Sequence, residues 1–136
     1  MDKKKGIITT IVTVAILCMM SMTAFAVSNV HISLPKNQVW TGKLSVTRSG
    51  NVSYVSASVD SVYPTSGTDN FEKVQARVVN AQGNLIMSEN YVVIKEGTSY
   101  QKLYIKDGYL NEKTVYLQFR GNTDAAAEAV VNYLGN

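Results

Sequence analysis

From residue 30 onward the chain alternates apolar with polar residues, and this period of two limits its fold more than any other feature. Successive side chains of a strand project to opposite faces, so alternation marks strands with one face buried. Val30, Ile32 and Leu34 alternate with His31 and Ser33 until Pro35-Lys36-Asn37 interrupts them. Trp40, Gly42, Leu44 and Val46 form the next phase, which places Trp40 in the core. Arg48-Ser49-Gly50-Asn51 reads as a turn by composition. Val55, Ala57 and Val59 carry a third strand opposite Ser56, Ser58 and Asp60. Val52 and Tyr54 fall in the other phase, which predicts a bulge or face switch near Tyr54.

The pattern continues beyond the polar loop from Tyr63 to Asn70. Val74, Ala76 and Val78 are expected inward, and Lys73, Gln75 and Arg77 outward. Asn80 to Asn84 reads as a hairpin connection. Leu85 to Lys95 reads as one strand, with Tyr91 to Ile94 buried on both faces. Leu103 and Ile105 point inward from Tyr100–Lys106, and Val115, Leu117 and Phe119 alternate with Tyr116, Gln118 and Arg120. The tail mixes alanines with Val130, Val131 and Tyr133. It is assigned one helical turn at Asp124–Ala127, then a last strand through Leu134. About eight short strands without a long amphipathic helix predict an all-β fold, an antiparallel β-sandwich.

The alternation starts late because the first 26 residues read as a secretory signal peptide. Lys3, Lys4 and Lys5 form a positive start, an apolar run extends from Gly6 to about Met20, and Ala24-x-Ala26 supplies a small-residue cleavage site. The expected organisation is a signal peptide, 1–26, and a single β-sandwich domain, 27–136, secreted to the extracellular space. Membrane contact is expected only through the transient leader. Leu17 precedes Cys18, which argues against a lipidated cysteine, and Leu34-Pro35 is not continued into a wall-sorting motif. Three of the thirteen Lys and Arg residues and Asp2 leave with the leader, so the formal charge drops from +3 to +1 and the only cysteine disappears.

Little catalytic chemistry remains. The one histidine, His31, lies on the polar phase of an edge-like strand, and a zinc or copper site needs several His or Cys ligands. The carboxylates are scattered, so neither a catalytic pair nor a calcium site around Asp69 and Asn70 is announced. The expectation is no enzyme, cofactor or metal, with a carboxylate-dependent hydrolase as a remote alternative. Lys and Arg are interleaved with acids along the chain, so no nucleic-acid partner is expected. Tyrosine favours recognition surfaces, and Tyr63, Tyr104, Tyr109 and Tyr116 are the candidate partner-facing residues.

Ser61-Val62-Tyr63 through Val78-Val79-Asn80-Ala81-Gln82-Gly83, with Leu110–Lys113 and Val115–Phe119, resembles the lactococcin 972 family of secreted bacteriocins. More broadly, the chain resembles small secreted proteins of Gram-positive bacteria. The resemblance implies a cysteine-poor β-sandwich acting at a cell surface. The sequence therefore points to a secreted, non-enzymatic binding or bacteriocin-like protein. Its partner would be a cell-envelope component, a glycan or a protein. The alternative is a carbohydrate- or extracellular-matrix-binding module. The edge-like strand Val30–Leu34 leaves a homodimer open.

Overall fold

A computed structural model describes residues 26–49 and 52–136. The leader features at Lys3, Lys4, Lys5, Cys18 and Ala24, and the turn residues Gly50 and Asn51, lie outside the described residues. Among the described residues eight strands follow one another: β1 (Ala26–Leu34), β2 (Leu44–Thr47), β3 (Tyr54–Pro64), β4 (Lys73–Val79), β5 (Val92–Lys95), β6 (Gln101–Tyr104), β7 (Thr114–Gly121) and β8 (Ala127–Leu134). They form two four-stranded sheets, ordered β1-β8-β3-β6 (sheet I) and β2-β7-β4-β5 (sheet II), with every pair antiparallel. The all-β antiparallel architecture is the one the alternation predicts.

The inward residues are those of the apolar phase. Sheet I supplies Val55, Val59, Val131 and Leu103, and sheet II supplies Val74, Val78, Leu117 and Phe119, all fully buried. Each such side chain contributes about 1.5–3 kcal/mol by leaving water. Small residues at Ala57, Ala127 and Ala129 of sheet I complement the larger Leu117, Phe119 and Ile94 of sheet II within one core.

Two bulges flank β8. The register shifts between Val27 and Val30 in β1 and between Val59 and Ser61 in β3. Asn29 adopts a φ of 58° in the first, and asparagine tolerates that left-handed conformation better than most residues. Asn132 of β8 joins both irregularities. Its Oδ1 accepts the Asn29 N–H at 2.9 Å, and its Nδ2 donates to Ser58 Oγ at 3.1 Å and Asp60 Oδ1 at 2.9 Å. Its amide thus satisfies backbone and side-chain groups that the extra residues displace from the ladder.

Several expectations are corrected. The tail has no helical turn at Asp124–Ala127: bends lead directly into β8, and a short 3-10 turn occurs instead at Asp107–Tyr109. Alanine's helix preference is worth a few tenths of a kcal/mol per residue. Here Ala127 and Ala129 fill inward positions of a strand paired on both sides, which outweighs it.

Leu85–Lys95 is not one strand. Ile86 N–H donates to Val78 O at 3.2 Å, while Ser88 N–H donates to Tyr104 O at 3.1 Å. Residues 85–88 therefore cross from sheet II to sheet I and close one side of the sandwich, with Ile86 and Met87 buried between. The later β5 is an edge strand with one solvated face, so Val93 is 44% exposed rather than doubly buried.

No face switch occurs at Tyr54. It points outward beside its cross-strand partner Tyr104, with ring centroids 5.8 Å apart, and the bulge in β3 lies at Asp60 instead. Arg48 is a buried clasp rather than an exposed turn residue, being only 2% exposed. Its Nη1 donates to Leu110 O and Glu112 O, both at 3.1 Å, and its Nη2 donates to Val52 O. Nε has no partner. Burial without a carboxylate lowers the Arg48 pKa.

Candidate functional site

Trp40 is the largest departure from the sequence reading, and it identifies the site. The segment before β2 is not a strand, so the phase counted through Gly42 does not carry to Trp40. The segment is instead pinned to the edge of β7. Thr41 N–H donates to Phe119 O at 2.8 Å, Thr41 Oγ1 accepts the Phe119 N–H at 3.0 Å, and Gln118 Nε2 donates to Thr41 O at 2.9 Å. Trp40 consequently lies half-buried on the outer face of sheet II, outside the core cluster.

There it meets two arginines. Arg77 of β4 stands opposite Gln118 of β7, and Gln75 of β4 stands opposite Arg120 of β7. The two arginines are thus diagonal neighbours, and each guanidinium carbon lies 4.3 Å from the Trp40 ring centre. The Arg120 guanidinium also lies 5.1 Å from the Tyr91 ring centre. Such contacts are cation–π interactions, strongest with tryptophan.

Two glutamines set the arginine planes. Arg77 Nε donates to Gln118 Oε1 at 3.0 Å, and Arg120 Nε donates to Gln75 Oε1 at 2.5 Å. Gln75 in turn donates to Asn122 Oδ1 at 2.9 Å. The Nε edge of each fork is thereby occupied, leaving the Nη groups as the remaining donors.

The electrostatics follow from what the sheet omits. The sequences of β2, β4, β5 and β7 contain no Asp or Glu. Among the described residues no acid pairs with Arg77. Burial lowers its pKa first, and the neighbouring positive charge of Arg120 lowers it further. Lys73 and Lys95 stand directly opposite each other at one end of the same face, a like-charge pairing that costs stability. At the other end Lys43 Nζ lies 5.4 Å from the Tyr116 ring centre and donates to Ala81 O at 2.5 Å. Lys and Arg are interleaved with acids along the sequence, but strand pairing separates them and collects five cations on one face.

The four predicted tyrosines do not come together. Tyr116 lies on this face beneath Lys43. Tyr63 and Tyr104 are exposed on the outer face of sheet I, near opposite ends of β3 and roughly 25–30 Å apart at a strand rise of about 3.3 Å per residue. Tyr109 sits in the 3-10 turn and packs against the core. Of the cleavage-site pair, Ala26 is the first residue of β1 and pairs with Leu134. His31 is exposed on β1, and no group of three or more metal-ligating residues occurs among the described residues.

The alternation places Gln75, Arg77, Gln118 and Arg120 outward, but nothing local in the sequence joins them. The signal that would have done so is the absence of acids from both strands. No family model, curated protein or solved structure matches the chain.

Proposed function

We propose that this chain is a secreted, non-enzymatic binding protein that acts at a cell surface, and that it meets its partner through the outer face of sheet II. One observation carries the reading: Arg77 and Arg120 are stacked on Trp40, on a sheet whose strands hold no acid. Burial and the like charge of Arg120 both act against the charged form of Arg77, and no carboxylate among the described residues offsets them. Left without counter-charges and held by glutamines, they form a preorganised face for an anionic envelope component.

The non-enzymatic part rests on His31, the one histidine of the chain, which stands exposed on the edge strand β1 of sheet I rather than beside Trp40 on sheet II. Cleavage after Ala26 would remove a single residue from β1 and leave its register from Val27 onward intact. The glycan-binding alternative draws on Tyr104, which is 48% exposed. It would need open rings for sugar stacking, whereas Trp40 and Tyr116 are already faced by cations.

The test expresses the full chain in a Gram-positive host and follows its fate. The expected product is recovered from the medium with Val27 as its N-terminus. It sediments with intact cells or isolated envelopes, and added salt weakens that association. Retention of an unprocessed chain inside cells, or failure to associate with any envelope preparation, would overturn the proposal. Growth inhibition of related bacteria by the secreted product would further favour the bacteriocin-like form.

A further inference from the structure

Resting on that reading of the sheet II face, we infer that its ligand is a flexible linear polyanion whose charges are phosphate groups in the polymer backbone. The cations are spaced for an extended ligand. They run from the Lys73–Lys95 pair, past Arg120 and Arg77, to Lys43 beside Tyr116. Tyr116 pairs with Val79, six residues along β4 from Lys73, so the track is about 20 Å long at a strand rise of about 3.3 Å per residue. A small anion would engage one end of such a track. A chain of anions engages all of it, and each contact releases counterions.

The donor geometry suits phosphate oxygens. Each arginine has its Nε tied to a glutamine, so the fork is fixed and its Nη groups remain available. A fixed fork suits an oxyanion presenting two oxygens. Ring-bearing polymers suit this face less well. Single-stranded nucleic acids are held by stacking bases on aromatic faces. Here the Trp40 and Tyr116 rings already carry Arg77, Arg120 and Lys43. Uronic-acid polymers hang each carboxylate on a sugar ring that would have to lie against the same crowded surface. A backbone phosphodiester reaches it with non-bridging oxygens and no ring.

The probe is poly(glycerol phosphate), compared with polygalacturonate and oligothymidylate of equal charge number, using the product exported when the full chain is expressed. Poly(glycerol phosphate) is expected to bind about tenfold or more tightly than either comparator. The R77Q/R120Q variant should lose about tenfold in affinity and lower the salt-dependence slope by roughly one per arginine removed. A second variant, K73Q/K95Q, lies outside the Trp40 stack and should weaken binding in the same direction if the first fails to fold. The charge-matched K36Q/K106Q variant alters exposed lysines elsewhere and should bind within about twofold of the parent. Equal or tighter binding of either comparator would overturn the inference, as would unchanged binding by both face variants. Envelope association without poly(glycerol phosphate) binding would sink this inference alone. Loss of both would sink the broader proposal as well.

Discussion

The Arg77 guanidinium carbon lies 4.3 Å from the centre of the Trp40 indole. The contact joins a strand residue to a connection that has no regular structure of its own. Trp40 thereby holds the segment between β1 and β2 against sheet II. Trp40→Ala is expected to lower stability by about 1–3 kcal/mol in urea denaturation, with Trp40→Phe retaining part of the loss. In a double-mutant cycle with Arg77→Gln, the coupling should be about 0.5–2 kcal/mol and favourable. Additive losses would mean that the contact contributes nothing beyond each residue's own packing.

The fold was legible wherever a strand's phase was continuous. Val74, Ala76 and Val78 of β4 and Val115, Leu117 and Phe119 of β7 face inward as their alternation requires. It failed where chain direction changed. Trp40 shares a parity with Leu44, but parity has meaning only within one strand, and β2 begins at Leu44. Ile86 and Met87 read as strand because they are apolar, yet they bridge two sheets. The candidate site was illegible for a related reason. Arg77 and Arg120 lie far apart in sequence, and only the β4–β7 register makes them neighbours.

Arg48 links the end of β2 to residues 110–113 through carbonyls, without a carboxylate. Removing its head group would take that donor from the Leu110, Glu112 and Val52 carbonyls, whose bonds to it are part-buried. Arg48→Leu should therefore cost about 2–4 kcal/mol, measured as a lowered urea midpoint. Arg48→Lys should recover little of this, because one ammonium cannot reproduce the fork. Full stability in Arg48→Leu would show that these carbonyls find other partners.

Gly135, just beyond β8, has a conformation that other residues adopt, so its constraint is spatial. A Cβ there would lie 1.8 Å from the Thr47 carbonyl oxygen and 2.8 Å from its carbon. The clash is with backbone at the end of β2, which cannot swing aside like a side chain. Gly135→Ala should lower stability by about 1–3 kcal/mol or more. Gly42→Ala meets nothing within 4 Å and should be neutral or slightly stabilising. Thermal melts of the two variants side by side would check the contrast, and equal melting temperatures would refute it.

Tyr133 gives the pH prediction. It is 6% exposed, and burial raises its phenol pKa above the ordinary 10.0. In the folded chain the proton is held more tightly than in the unfolded chain. The associated stability is therefore fully present below about pH 10 and is lost as pH rises through the elevated folded value. Tyr133→Phe keeps the ring and cannot ionise. Urea unfolding across the alkaline range should show the parent losing stability more steeply than the variant, with similar values near pH 7. Parallel alkaline slopes would mean that Tyr133 does not drive the loss.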